Sequence, residues 1–450
     1  MIKNILAAAV VAATMPAAAQ QTISSSGTGQ VLLFPFYNAD NASNTYFHVV
    51  NATSSSRAVK IRYNEYLSGS VALEWNLYLA PYDVFPMAIA ADAAGSGATV
   101  VTADDSCTVP RLGTANGSYS GTTTELSDGS TLRSQPFVPF LFASDAVSSN
   151  ERTLMGSLEV IEMGVVDSSV DVTKCDELAT SWESGDWSTD PTKNMTAPTG
   201  GLSGNGYFIQ VESAYSTPVL PTAINGWSTT VQHKGPGSML PTLDQGVKTA
   251  TVDGQLVDYS SKANGGILAT GALLAADTVL AEVTAETSIA ASTDIVLSFP
   301  TKKYHVSGST ALAPFTAVYD GTKEVSTSCE EYTLSQYDRS GDNASNAGSF
   351  GGAQQGGIAG DVCDNLSVVQ FASSSALGVG SVSVPVGFSY QAGVAKFASE
   401  QVFPASDNGV TITGLPVLSF SSTAIRNGAF SYGYGSPSKT LKSMTITSGS

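Results

Sequence analysis

Residues 71–79 read Val-Ala-Leu-Glu-Trp-Asn-Leu-Tyr-Leu, and large apolar side chains recur at every second position. A period of two places Leu73, Trp75 and Leu77 on one face of a β-strand, whereas a helix would repeat about every 3.6 residues. The segment Pro81-Tyr82-Asp83 that follows is typical of a turn. This stretch therefore predicts a strand with one face in a hydrophobic core.

Similar runs lie close by along the chain. Residues 31–34 and 45–50 are apolar and β-branched, and residues 58–63 alternate apolar with basic residues, as a half-exposed strand should. Four short strands at a spacing of about ten residues favour a β-sandwich of the immunoglobulin type. Residues 91–134 are rich in Gly, Ser, Thr and Asp and are predicted to be a long loop.

Strand-like runs return in the last third of the chain, for example at residues 294–299 and 414–420. The sequence therefore predicts a mostly β protein with two or more β-sandwich (Ig-like) units and a few short helices. The best helix candidate is residues 265–282, which lack Pro and are rich in Ala and Leu. We expect an N-terminal β-sandwich-like domain at residues 20–210 and a C-terminal β-rich domain at residues 211–450.

The start of the chain has the pattern of a secretory signal peptide, which we assign to residues 1–19. Lys3 supplies a positive charge, residues 5–14 are apolar or small, and Ala17-Ala18-Ala19 offers a cleavage site. We therefore expect an exported protein at the cell outer surface or in the medium.

The composition is acidic, although charged residues are few. Only 13% of the residues are Asp, Glu, Lys or Arg, yet the net charge is −18 and the sequence pI is about 4.4. Typical soluble domains carry about 25% charged residues. Nucleic-acid binding needs basic surfaces, so we expect no nucleic-acid partner; an acidic surface attracts cations instead.

Four cysteines allow three disulfide pairings. Cys107–Cys175 with Cys329–Cys363 closes the shortest loops, and we favour it for that reason over the other two pairings. A zinc site is the rival interpretation, but the chain has no C-x-x-C spacing and only three histidines.

Catalytic motifs are missing from the sequence, and we expect a protein that is not an enzyme. It has no H-E-x-x-H, G-x-S-x-G or Walker motif. Glu159 and Glu162 stand three positions apart on a predicted strand, so they should point to opposite faces and cannot act as a pair.

A polar loop at residues 338–343 is the best candidate for a metal site. Asp338, Ser340, Asp342 and Asn343 offer oxygen ligands around Gly341, which suits Ca²⁺. The alternative is a solvated acidic loop without a metal.

Several strings scattered over most of the chain resemble a family of exported, mostly uncharacterised proteobacterial β-rich proteins. They are Leu33-Phe34-Pro35-Phe36-Tyr37, Val49-Val50-Asn51, Ala58-Val59-Lys60-Ile61-Arg62, Asn76-Leu77-Tyr78-Leu79-Ala80-Pro81-Tyr82-Asp83, Ile161-Glu162-Met163-Gly164 and Leu297-Ser298-Phe299-Pro300-Thr301-Lys302-Lys303. Some gammaproteobacterial members resemble surface-layer (S-layer) proteins. The resemblance implies a shared fold and a place at the cell surface.

These observations favour a structural surface protein that self-assembles into an S-layer with the help of divalent cations. Its partners would be further copies of itself and the outer-membrane surface or lipopolysaccharide. The alternative is a secreted carbohydrate-binding adhesin that uses Trp182, Trp187 or Trp227, although we expect these to be core or loop anchors.

Overall fold

The structure is a computed structural model, described here for residues 19–116, 119–341, 348–349, 360–371, 374–379, 382–384, 392–428 and 430–447. Most of these residues lie in β-strands that form several sheets, and the helices are few and short. The predicted mostly β class is confirmed.

Strands from the first half of the chain form two large sheets. In chain order they are β1 (Thr22–Ile23), β2 (Val31–Asn38), β3 (Ser43–Asn51), β4 (Arg57–Glu65), β5 (Val71–Leu79), β6 (Val84–Ala91), β7 (Ala98–Thr102), β8 (Cys107–Val109), β9 (Ala115–Asn116), β10 (Tyr119–Ser120), β11 (Thr122–Glu125), β12 (Thr131–Pro136), β13 (Met155–Val166), β14 (Met195–Thr196), β15 (Leu202–Gln210), β16 (Tyr215–Pro218) and β17 (Thr222–Asn225). Sheet 1 has the order β1-β17-β2-β13-β4-β5-β8, with β14 beside β13. Sheet 2 has the order β11-β12-β7-β6-β3-β15-β16, and β9 pairs with β10.

Strands from the second half form two smaller sheets and short ribbons. They are β18 (Thr249–Val252), β19 (Gln255–Asp258), β20 (Ala275–Ala276), β21 (Thr278–Thr284), β22 (Ser292–Ser298), β23 (Glu330–Glu331), β24 (Thr333–Asp338), β25 (Gly348–Ser349), β26 (Asp361–Val362), β27 (Leu366–Phe371), β28 (Val382–Ser383), β29 (Ala392–Ala398), β30 (Val410–Thr413), β31 (Leu415–Pro416), β32 (Leu418–Asn427), β33 (Phe430–Pro437), β34 (Lys439–Leu441) and β35 (Ser443–Ile446). Sheet 3 has the order β25-β24-β29-β21-β34, and Sheet 4 has the order β28-β27-β22-β32-β33. The ribbons pair β18 with β19, β20 with β31, β23 with β26 and β30 with β35.

In the part of the chain that the structure describes, four helices and three 3₁₀ turns connect these strands. The helices are α1 (Cys175–Glu183), α2 (Asp186–Thr189), α3 (Gly265–Leu274) and α4 (Lys303–Val306). The 3₁₀ turns are Asn150–Leu154, Leu243–Gln245 and Thr287–Ile289. Among the described residues, none of the helices has both the length and the apolar character needed to cross a membrane.

Sheets 1 and 2 face each other across the largest hydrophobic core. Trp75 and Leu77 of β5 point into it, as their alternation predicts, and belong to the same core as Phe47 of β3 and Met87 of β6 in Sheet 2. Phe34 of β2 and Phe47 of β3 lie edge to face with ring centroids 4.9 Å apart. The alternating apolar residues of the first half therefore line one shared core between two sheets.

Strand β4 differs from the prediction that it is half-exposed. All nine of its residues are buried, including Lys60 and Arg62. The reason is that residues 228–242, the covering segment, cross the second face of Sheet 1. Backbone carbonyls of Ser238 and Met239 in this segment accept hydrogen bonds from Lys60 and Arg62, respectively.

Sheets 3 and 4 enclose a second core, and the two halves of the chain are joined. Val279 of β21, Phe397 of β29 and Ile295 of β22 lie in this second core. The opposite face of Sheet 4 packs against the core of Sheets 1 and 2, where Phe420 contacts Phe36 with ring centroids 6.0 Å apart. The halves therefore share buried apolar surface.

The position predicted as a domain boundary, residue 210, lies at the end of β15. This strand pairs with β16, and the next strand, β17, pairs with β2 in Sheet 1. The strands of the first two sheets therefore continue to Asn225.

The predicted helix at residues 265–282 is only partly correct. Helix α3 ends at Leu274, and all ten of its residues are buried rather than amphipathic. Residues 278–284 form β21, because Val279 and Val283 alternate toward the second core and their β-branched side chains favour a strand.

The predicted long loop at residues 91–134 is wrong in part. It contains β7, β8, β11 and most of β12, since Thr and Val fit a pleated sheet even where Gly and Ser are frequent nearby.

Both disulfides have the predicted sequential pairing. Cys107 of β8 is bonded to Cys175 at the start of α1, and Cys329 is bonded to Cys363. Disulfides are typical of proteins outside the cytoplasm.

Candidate functional site

The predicted calcium ligands lie at the end of β24. Asp338 is largely buried, and its Oδ1 accepts a hydrogen bond of 2.8 Å from the backbone N–H of Ser340. Asp342 and Asn343 lie outside the described residues. Within the described part of the chain, no three His, Cys, Asp or Glu side chains lie close enough together to hold a metal ion.

The three candidate tryptophans for sugar binding are not displayed on the surface. Trp187 and Trp227 are buried, and Trp182 is half-buried against His233. Trp182 donates its indole N–H to the Tyr78 hydroxyl, which lies 2.8 Å from Nε2 of His233. Burial lowers the pKa of His233 to about 4. Trp182 and Trp187 pack next to the first disulfide, whereas Trp227 lies in a different core and donates its indole N–H to the carbonyl of Leu243.

A group of buried charges occupies the second face of Sheet 1. Arg62 lies 2.9 Å from Glu74 and 3.3 Å from Glu159, and Glu159 also pairs with Lys303 at 2.9 Å. Burial opposes ionisation of Glu159, but Lys303 and Arg62 outweigh it and hold the pKa of this carboxyl below its ordinary value. The covering segment lies over these charges, so they pair with one another inside the protein and stabilise the fold.

Glu159 and Glu162 lie on opposite faces of β13, as predicted. Glu162 contacts Arg57 and accepts hydrogen bonds from the backbone N–H groups of Thr199 and Gly200. The two carboxylates therefore have separate partners and do not form a catalytic pair.

The outer face of Sheet 2 is an open β-surface. On its four inner strands, β7, β6, β3 and β15, none of the outward side chains is Asp, Glu, Lys or Arg. They are Asn44, Tyr46, His48, Val50, Val84, Pro86, Ala88, Ala90, Thr99, Val101, Ser203, Asn205, Tyr207 and Ile209. We call this surface the Sheet 2 outer face. In a chain with a net charge of −18, it is a neutral area.

Two tyrosines occupy the middle of this face. Tyr46 and Tyr207 are directly opposite each other on β3 and β15, and they are 40% and 44% exposed. Asn205 and His48 form the next cross-strand pair. Such a surface offers two rings with hydrogen-bonding groups beside them, which suits contact with a protein or with a sugar.

A second exposed aromatic surface lies on β33, at the edge of Sheet 4. Phe430, Tyr432 and Tyr434 share one face of this strand and are 67%, 54% and 40% exposed. We call them the aromatic ladder. Gly433 lies on the opposite face, where the Tyr215 ring leaves no space for a Cβ atom. This contact sets the orientation that turns the ladder outward.

Of these two surfaces, the aromatic ladder is the one whose members are close together in the sequence. The string Tyr432-Gly433-Tyr434 alternates visibly, whereas Tyr46 and Tyr207 are neighbours only through the pairing of β3 with β15. Register between distant strands is not readable from a single sequence, although the outward position of Tyr46 follows from the alternation in β3.

The chain was compared with protein-family models, with curated proteins and with solved structures, and none of them matches it.

Proposed function

We propose that this protein is a structural cell-surface protein that self-assembles into an S-layer, and that it does not act as an enzyme. The observation that carries the proposal is the neutral outer face of Sheet 2 in an otherwise acidic chain. Copies with a net charge of −18 repel one another, and at about 0.15 M salt this repulsion is screened only beyond about 8 Å. Close packing of copies therefore favours surfaces without acidic groups, and the exposed tyrosines add apolar area to such a contact.

The proposal includes a fold and a location. We propose that Sheets 1 and 2, and Sheets 3 and 4, are two Ig-like β-sandwich units. Residues 1–19 would act as the signal peptide, and the exported protein would lie on the outer-membrane surface, in contact with lipopolysaccharide. Two disulfides support a place outside the cytoplasm.

Calcium would bridge acidic loops of neighbouring copies. The ligands we propose are Asp338, Ser340, Asp342 and Asn343, since hard oxygen ligands suit Ca²⁺ and millimolar affinities are ordinary for extracellular modules.

The test is to place charge on the neutral face. Tyr46→Glu with Tyr207→Glu should prevent ordered assembly of the purified protein, as seen by negative-stain electron microscopy. The matched control, Leu256→Glu with Val402→Glu, adds the same two charges at exposed apolar positions on other elements, 38% and 45% exposed. Equal assembly of both variants would contradict a role for the Sheet 2 outer face.

A second candidate function, carbohydrate binding, is favoured by the pairing of Tyr46 with Tyr207 beside His48 and Asn205. Sugar rings stack on exposed aromatic side chains, while amide and imidazole groups hydrogen-bond to hydroxyls. Tyr46→Ala would then abolish binding on a glycan array without changing the sedimentation of the protein, whereas the S-layer proposal expects the reverse.

A further inference from the structure

Three side chains with complementary chemistry meet on the second face of Sheet 1, where α4 packs against it. Asn64 and Glu159 belong to the neighbouring strands β4 and β13, and Lys303 is the first residue of α4. Nζ of Lys303 lies 2.8 Å from Oδ1 of Asn64 and 2.9 Å from Oε1 of Glu159. One primary amine therefore contacts a carboxamide and a carboxylate at the same time.

This group of three side chains is shielded from water. Asn64 and Glu159 are 2% and 1% exposed, and the side chain of Lys303 is 16% exposed. The covering segment closes the same face, since its Met239 and Pro241 carbonyls accept hydrogen bonds from Arg62, the neighbour of Glu159. Exclusion of water strengthens the electrostatic interactions of such a site and keeps water from competing as a nucleophile.

The arrangement favours attack of the amine on the carboxamide. An amine must be neutral to attack, and burial lowers the pKa of Lys303, although Glu159 opposes this shift. The carboxylate of Glu159 is within hydrogen-bond distance of Nζ, so it can take a proton from the amine as a general base. Two groups held in contact within one folded molecule react with effective molarities of up to about 10⁵–10⁸ M.

We propose that Lys303 and Asn64 become joined by an isopeptide bond, with Glu159 carrying the protons. The amine of Lys303 passes one proton to Glu159 and attacks Cγ of Asn64, which forms the new C–N bond. The bond between Cγ and Nδ2 then breaks. Glu159 transfers to Nδ2 the two protons that the ammonium group of Lys303 loses, so ammonium leaves and Glu159 is a carboxylate again.

The reaction needs no cofactor and happens once per chain, so it is a self-modification and not the turnover of a substrate. The ion pair and the hydrogen bond of Lys303 are the contacts from which the bond forms. The product joins two residues that are 239 positions apart, one in each half of the chain. Such a covalent cross-link restricts the unfolded chain and keeps the halves together under load. This inference does not depend on self-assembly.

Peptide mapping of the purified mature protein, kept folded at neutral pH for several days, tests the bond. After reduction, denaturation and digestion with trypsin, we expect a branched peptide that joins residues 63–111 to residues 303–323. Trypsin does not cut after an acylated lysine, and the branched peptide is lighter than its two parts by one molecule of ammonia. Recovery of residues 63–111 only as a linear peptide would overturn the proposal.

The mass of the intact protein is not sufficient evidence. Gln20 at the start of the mature chain can also lose ammonia by cyclising, which gives the same change in mass. The branched peptide is specific to the bond between Lys303 and Asn64.

Two variants test the roles of the residues, and circular dichroism shows that they are folded. Lys303→Arg keeps the positive charge beside Glu159 but removes the amine, so the branched peptide should be absent. Glu159→Gln cannot carry the protons, and the bond should form about a hundredfold more slowly after synthesis, or slower still. Lys439→Arg, at an exposed position, is the control and should behave as the wild type. A bond that forms as quickly in folded Glu159→Gln would overturn the proton transfer assigned to Glu159.

Discussion

Lys303 and Glu159 form an ion pair, with Nζ 2.9 Å from Oε1, although one lies in α4 and the other in β13. Lys303 also donates a hydrogen bond of 2.8 Å to Oδ1 of Asn64 in β4. A residue from the second half of the chain is thus buried against Sheet 1 of the first half. The two halves are therefore joined by charge as well as by apolar packing.

Lys303→Met should lower the free energy of unfolding by about 3 kcal/mol, because it leaves the buried carboxylate of Glu159 with Arg62 as its remaining cation. Chemical denaturation followed by fluorescence measures this change. Lys439→Met, at an exposed position, is the control. A loss below about 0.5 kcal/mol would show that the pair does not hold the halves together.

Asp294 should make stability depend on pH. It is fully buried in β22, and burial raises its pKa to about 7, even though Ser375 and the backbone N–H of Leu377 donate hydrogen bonds to it. Because the folded-state pKa lies above the unfolded value, the contribution of Asp294 to stability is fully present below about pH 4. It is lost as the pH rises through about 7.

Between about pH 4 and 7, the free energy of unfolding should therefore change less in Asp294→Asn than in the wild type. The difference between the two changes should be at most about 4 kcal/mol. Its carbonyl can still accept the hydrogen bond from Leu377. Thermal unfolding of the variant and the wild type over this range measures the difference. Asp176→Asn, at an exposed position on α1, is the control. Parallel curves for Asp294→Asn and the wild type would contradict the assignment.

Replacing both cysteines of the first disulfide, Cys107→Ser with Cys175→Ser, should cost about 4 kcal/mol of unfolding free energy. The bond closes a loop with a sequence separation of 68 residues, and the chain-entropy model gives this value for such a loop. Denaturation of the variant, compared with the wild type under oxidising and reducing conditions, tests it. Reduction breaks both native disulfides, so the reduced wild type is compared with the reduced variant; if the variant is still less stable there, the effect comes from packing rather than from the bond.

Much of the fold could be read from alternation. Trp75 and Leu77 point into the core as their spacing indicates, and the disulfide pairing follows from loop length. Burial of the second face of β4 could not be read in this way, because the partners of Arg62 and the covering segment come from distant parts of the chain. When basic residues alternate with apolar ones along a strand, the basic face is predicted to be exposed. Only knowledge of a buried acidic partner, here Glu159 for Arg62, would predict otherwise.

The candidate surfaces show the same limit. The ladder at Tyr432 and Tyr434 is local in sequence and was predictable as a patch, whereas the pairing of Tyr46 with Tyr207 depends on strand register. The helix predicted at residues 265–282 ends at Leu274, because residues 278–284 pair with β29 as a strand. A composition rich in Ala and Leu does not show where such pairing with a distant strand begins.

Removal of the proposed calcium ligands should weaken assembly without unfolding the protein. Asp338→Asn with Asp342→Asn removes two charges, and the calcium concentration needed for assembly should then rise, since fewer carboxylates hold the ion. Light scattering during a calcium titration measures this, with Asp176→Asn and Glu177→Gln on α1 as the control. The same calcium midpoint in both variants would show that the site lies elsewhere.

Imaging of the purified wild-type protein, residues 20–450, is the decisive experiment on self-assembly. Negative-stain electron microscopy at high protein concentration and millimolar calcium should show ordered sheets or tubes, and a chelator should dissolve them. A protein that sediments as a monomer across the whole calcium range at that concentration would contradict the S-layer proposal and favour the carbohydrate-binding one.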